Sequence, residues 1–193
     1  MSGGGKGNGN GGPFRDTTNG NEYECTIIRR AIKSLRKDGY KLSKTKDKDA
    51  HNLMYNDKCI AVAYRQNGFI RHLNSKGINC RKLLGKEHRP DVAVIREDQK
   101  MLYIVEIKFQ KVSGTADEKL QTCDFKKSQF KILADKLGLK DVEYIYVMNS
   151  SWFLKKKELY KEVFKYIKRV GCDFIFDKFP LTQMGLPDSQ DEV

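Results

Sequence analysis

Apolar and polar positions first separate cleanly from Asn21 onward. Ile27, Ile28, Ala31, Ile32 and Leu35 recur at helical spacing, while Arg29, Arg30, Lys33, Arg36 and Lys37 take the opposite face. Gly39 ends this periodicity. Glu24 stands three, four and seven residues before Ile27, Ile28 and Ala31, so it points along the apolar stripe rather than toward water. Cys59–Tyr64 is a short β-prone run. Residues 65–89 look like a long basic connection, broken by Gly68, Asn74, Gly77 and Gly85. Two strand patterns come next, Asp91–Ile95 and Met101–Phe109, separated by polar Arg96–Lys100, which is the signature of a β-hairpin. Thr115-x-x-Glu118 reads as a capping box opening a helix to about Leu137, with Gly138 at its end. Val142–Met148 predicts a strand, Ser151 caps a helix to Val170, and Cys172–Phe176 predicts a last strand.

The predicted order, α-β-β-β-α-β-α-β, describes a mixed central β-sheet flanked by helices, an α/β (α+β) domain. Residues 1–20 are rich in glycine and asparagine and have little to bury, so they are expected to form a flexible tail. A single domain is expected over residues 21–185, with a polar C-terminal tail over 186–193. No internal repeat appears.

Composition narrows the class. Hydrophobic residues make up 39% of the 193, enough for a core, and no run of 18 apolar residues offers a membrane span. The N-terminus lacks the apolar segment of a secretory signal. Five scattered cysteines with no CxxC pair argue against a disulfide framework or a zinc site, and for a reducing, cytoplasmic setting. The formal net charge is +12, and its excess is concentrated. Thr26 to Arg89 holds 17 Lys or Arg against five Asp or Glu, which leaves 20 of each sign elsewhere. A basic block beside a balanced remainder suits a polyanionic partner, nucleic acid above all; a lysine-rich solvated surface is the plainer reading.

The chemistry-bearing residues sit on the predicted hairpin. Its first strand opens with Pro90-Asp91, and its second carries Glu106-Ile107-Lys108 among apolar neighbours. Alternation puts Glu106 and Lys108 on one face, with Val105 and Ile107 on the other. Charged residues on such a strand are costly unless they are paired or serve chemistry. Hairpin pairing can bring Asp91 beside them, and two converging carboxylates raise each other's pKa unless a divalent cation lies between. Oxygen donors of this kind suit Mg²⁺ or Mn²⁺. The plainer alternatives are a solvated surface pair for Glu106 and Lys108, a turn residue for Asp91, and a dipole-favoured helix acid for Glu24.

Pro90-Asp91 with Glu106-Ile107-Lys108 after it resembles the PD-(D/E)XK nuclease signature, including that of type II restriction endonucleases. Gln110 and the stretch Ser113–Lys119 are similar to the residues after the signature lysine in many restriction-enzyme-like proteins. The QxxxY element of the exonuclease-like branch is missing, since Phe125 follows Gln121 and Leu133 follows Gln129 at that spacing. The resemblance implies a restriction-endonuclease-like fold and Mg²⁺ held by Asp91, Glu106 and the Ile107 carbonyl. It also implies that Lys108 orients or deprotonates water, with Glu24 as a further acid. The expected activity is cleavage of double-stranded DNA to 5′-phosphate ends by a homodimer, one site per strand. Arg81, Lys82, Lys86, Arg89, Gln110, Lys111, Ser113, Lys119 and Gln121 are the candidate DNA contacts. A homing, junction-resolving or repair nuclease of the same fold remains an alternative, as does a nucleic-acid-binding module without hydrolysis.

Overall fold

The computed structural model describes residues 17–112 and 116–190. Most of the glycine-rich segment (1–16), Ser113, Gly114 and the capping-box Thr115, and residues 191–193 lie outside the described residues.

Helix α1 (Thr17–Lys37) leads into three strands, β1 (Lys41–Lys44), β2 (Ala50–Tyr55) and β3 (Lys58–Arg65). Helices α2 (Gln66–Ser75) and α3 (Cys80–Leu84) precede the hairpin β4 (Val92–Arg96) and β5 (Met101–Lys108). Then come α4 (Ala116–Leu120), α5 (Cys123–Lys136), β6 (Asp141–Met148), α6 (Ser150–Phe153), α7 (Lys157–Arg169) and β7 (Asp173–Phe176). The seven strands form one sheet in chain order. Pairing is antiparallel from β1 through β5 and parallel from β5 through β7. The two parallel pairs have the helical crossovers they require, α4–α5 and α6–α7, while α2 and α3 fill the long connection between antiparallel β3 and β4. This is the mixed, helix-flanked sheet that the hydrophobic pattern predicts.

Strand alternation divides the core in two. Leu102, Ile104, Tyr144, Tyr146 and Met148 face the side covered by α2 and α5, where they meet Phe69, Leu73, Phe130 and Leu133. Tyr103, Val105, Ile145 and Val147 face the other side, against Ile27, Ala31 and Leu35 of α1 and Phe179, Leu181 and Met184 beyond β7. Each face buries a full apolar layer, so a one-residue slip of β5 would exchange both.

The structure departs from the sequence expectation in four places. Lys41–Lys44 and Ala50–Tyr55 are strands; β1 is a charged edge whose composition hides it, a common device against edge-to-edge pairing. Residues 65–89 are not one connection but contain α2 and α3. Gly68 breaks nothing there. It lies in the first turn of α2, where a Cβ would stand 2.7 Å from the Asp49 carbonyl oxygen, so only glycine fits that close approach. The helices expected over 115–137 and 151–170 are each divided, between α4 and α5 and between α6 and α7. Finally, Thr17–Gly20 belong to α1, and the segment after residue 185 packs rather than trailing. Leu186 and Gln190 are buried, the Ser189 N–H donates to Ser34 Oγ at 2.9 Å, and the Gln190 amide pairs with the backbone of Phe179. Among the described residues no helix is long and apolar enough to cross a membrane.

Candidate active site

In the β4–β5 pair Val92 stands opposite Val105, so the next pair outward sets Asp91 opposite Glu106. The Ile107 N–H donates to Asp91 Oδ2 at 2.7 Å, which fixes the carboxylate across the hairpin. Lys108 Nζ donates to Glu106 Oε2 at 2.6 Å and lies 3.6 Å from Asp91 Oδ2. Glu106 and Lys108 continue the Leu102 and Ile104 face, toward α5. Their side chains are only 10% and 17% exposed, and that of Asp91 23%. The solvated-surface reading of Glu106 and Lys108 is therefore excluded. Three charges share a half-dry notch at the end of two central strands.

Their electrostatics follow from that burial. Asp91 is raised above the ordinary carboxylate range, first by burial and further by Glu106, against the opposing pull of Lys108. Burial is also the largest influence on Lys108 and pulls it down, but Glu106 and Asp91 together outweigh it and leave the ammonium held more firmly than usual. In the free protein Lys108 is thus a cation committed to two carboxylates, not a base.

Glu24 lies 8% exposed on α1, along the buried stripe as its spacing predicts. Its carboxylate accepts a 2.6 Å hydrogen bond from Arg65 at the end of β3. It stands close enough to Asp91 to contribute to raising it. Arg65 holds Glu24 beside the notch without placing it in the Asp91–Glu106 pair.

The candidate DNA contacts fall into distinct surroundings. Arg81 and Lys82 are exposed on α3, and Lys86 and Arg89 are exposed in the loop leading to Asp91. Arg89 and Arg81 share Glu87, at 2.5 and 3.7 Å. Lys111 lies over the Phe109 ring at 5.5 Å, and Lys119 and Gln121 are exposed around α4. Ser113 lies outside the described residues. Gln110 differs from the rest. Its backbone N–H donates to Asn149 Oδ1, its carbonyl accepts from Asn149 Nδ2, and its buried side-chain amide has no partner. Reading a base from Gln110 would require this strand end to open.

Two further residues lie near the carboxylates: His88, which the sequence gives no reason to count as catalytic, and Lys126, which the sequence reading misses. His88 is buried against Phe130, its Nε2 lacks a partner, and burial holds its pKa down, with Lys86 and Lys126 adding to the effect. Lys126 on α5 reaches to 3.9 Å from Glu106 Oε2 with its side chain 28% exposed. Burial, then Lys108, lowers its pKa against the pull of Glu106. A signal was present in the sequence. Cys123, Lys126, Phe130 and Leu133 are spaced three, four and three residues apart, so a lysine occupies a position of the apolar stripe.

The model of the PD-(D/E)XK nuclease superfamily domain matches residues 19–127, more than half of the chain. The chain belongs to the PD-(D/E)XK nuclease superfamily. The matched stretch carries Glu24, Asp91, Glu106, Lys108 and Lys126 together. No curated protein and no solved structure matches the chain. A PD-(D/E)XK nuclease domain implies nucleic-acid binding, and the superfamily generally uses divalent metals such as Mg²⁺. The donors present fit such an ion. Asp91 Oδ1 and Glu106 Oε1 take no hydrogen bond among the described residues, and both are hard oxygens. Among the described residues no three His, Cys, Asp or Glu side chains converge. A site of two carboxylates suits Mg²⁺, which keeps several waters of its own.

Proposed function

We propose that this PD-(D/E)XK domain is a Mg²⁺-dependent endonuclease that hydrolyses phosphodiester bonds of double-stranded DNA, leaving 5′-phosphates. The observation that carries this reading is the junction of Asp91, Glu106 and Lys108 across one hairpin, in a notch beside exposed cationic residues. Asp91 and Glu106, with the Ile107 carbonyl, would hold the ion, Mn²⁺ serving in place of Mg²⁺. Bound there, the cation would stabilise charge developing on the phosphoryl oxygens. Once Glu106 is taken up by the cation, Lys108 would lose the carboxylate that holds its proton. Having given that proton to solvent, the neutral amine would position the attacking water and accept its proton. Glu24 contributes negative potential beside Asp91 while Arg65 keeps it in place.

One such site per chain cuts one strand, so breaking both strands of a duplex calls for two copies. That requirement suits a symmetric homodimer on a short palindrome, as in a type II restriction enzyme. Arg81, Lys82, Lys86 and Arg89 would track the phosphates into the site, with Lys111, Lys119 and Gln121 on its other flank. Digesting a long DNA of known sequence with Mg²⁺ and mapping every cut end tests the reading. A shared palindrome at the ends supports restriction, ends without common sequence indicate a non-specific nuclease, and cutting confined to four-way junctions indicates a resolvase.

A further inference from the structure

Lys126 is placed too deliberately for a surface charge. It interrupts the buried stripe of α5 between Cys123 and Phe130, both of which lie in the core. Its ammonium crosses from the helix to the same oxygen, Glu106 Oε2, that Lys108 occupies from the strand. Two ammonium groups converge on two carboxylates, and the cluster is neutral as it stands. A bound dication would turn that balance into an excess of two positive charges in a half-dry notch. Like charges at such range repel strongly, and the ammonium groups must turn toward an incoming anion. The anion that the notch would receive is a phosphodiester.

We propose that Lys126 is a second substrate-contacting lysine, which neutralises Glu106 in the free protein and moves to a non-bridging oxygen of the scissile phosphodiester when metal and DNA bind. The proposal rests on the nuclease reading and adds a residue that the Pro90-Asp91 and Glu106-Ile107-Lys108 signature does not contain. Lys108 and Lys126 then divide the work. The strand lysine serves the water, and the helix lysine serves the phosphate. The same residue acts in opposite directions on the two ligands, because it competes with the metal for Glu106 and attracts DNA.

That opposition gives the test. Lys126→Met keeps the aliphatic stem and removes the charge; Lys126→Arg keeps the charge; Lys131→Met removes a partly exposed α5 charge that pairs with Asp135 rather than with Glu106. Three quantities are measured on each full-length protein: Mn²⁺ affinity without DNA, duplex affinity in Ca²⁺, and single-turnover cleavage in Mg²⁺. Lys126→Met should bind Mn²⁺ more tightly than wild type, bind DNA more weakly, and cleave about 100-fold more slowly, the order seen when one donor to a developing oxyanion is lost. Lys126→Arg should recover most of the cleavage, and Lys131→Met should match wild type throughout. If Lys126→Met folds, cleaves at the wild-type rate and binds DNA unchanged, Lys126 only pairs with Glu106 and the proposal is overturned. Unchanged Mn²⁺ affinity in Lys126→Met would overturn the competition at Glu106. Wild-type protein that neither binds nor cuts DNA would instead remove the nuclease reading beneath it.

Discussion

The Ile107 backbone N–H holds Asp91 Oδ2 at 2.7 Å, one position from the Glu106 that faces Asp91 across the hairpin. One contact thus fixes the orientation of a half-buried carboxylate whose charge the surroundings oppose.

That opposition predicts a trade between stability and chemistry. Asp91 has its pKa raised by burial and by Glu106, so the fold binds its proton more tightly than the unfolded chain does. Stability from this group is therefore full below the ordinary Asp range and falls as pH climbs through the raised value. Asp91→Asn keeps the acceptor for Ile107 and removes the charge. It should raise Tm at neutral pH, flatten that part of the stability–pH curve, and abolish cleavage. A lowered Tm would show that the carboxylate is net stabilising where it lies.

A purely structural charge should behave in the opposite way. Arg96 is buried, donates to the Met184 carbonyl at 2.6 Å and the Gly185 carbonyl at 3.3 Å, and grips Asp98 at 2.5 Å. It ties the segment after β7 to the β4–β5 hairpin. Arg96→Ala strands those acceptors and should cost about 2–4 kcal/mol in urea unfolding. Cleavage well below the melting range should stay near wild type. Undiminished stability would mean that the C-terminal segment is held by its apolar residues alone.

These two charges also show what the sequence could reveal. Asp91, Glu106 and Lys108 were legible because alternation in two apolar strands leaves few places for a charge to go. Glu24 was legible for a similar reason, standing on a helical stripe. The partner of Glu24 was not, since Arg65 lies 41 positions away and only the β3–β4 pairing brings it near the notch. Helix α2 was hidden because Gly68 and Asn74 outweighed the short stripe Phe69, Ile70 and Leu73, and tertiary packing overrode local composition. Lys126 was visible in principle, but a helix expected to begin near Thr115 obscured the stripe that starts at Cys123.

If the exposed cations leading to Asp91 meet the duplex as proposed, DNA affinity should depend on salt. Arg81, Lys82, Lys86 and Arg89 would release about 0.9 counterions per phosphate neutralised. Glu87 already engages Arg89 and Arg81, so the four will not count equally. Changing all four to Ser should flatten the slope of log Kd against log salt by about 2 or more. An unchanged slope would place the duplex on another face.

The metal requirement should separate binding from turnover. Cleavage should need Mg²⁺ or Mn²⁺ and stop in EDTA, because Asp91 and Glu106 alone cannot stabilise phosphoryl charge. Ca²⁺ should support binding with little cutting. Full activity in chelator would mean chemistry without a divalent cation.

If Asp91, Glu106 and Lys108 form one hydrolytic site, a single comparison exposes it most directly. Plasmid DNA and Mg²⁺ are incubated with wild-type protein, Glu106→Ala and Lys108→Ala, with duplex binding measured in Ca²⁺ alongside. Wild type should cut, while both variants should lose cleavage and retain most of their binding, since neither residue lies among the cationic contacts. Cleavage by Lys108→Ala at close to the wild-type rate would contradict a shared hydrolytic site.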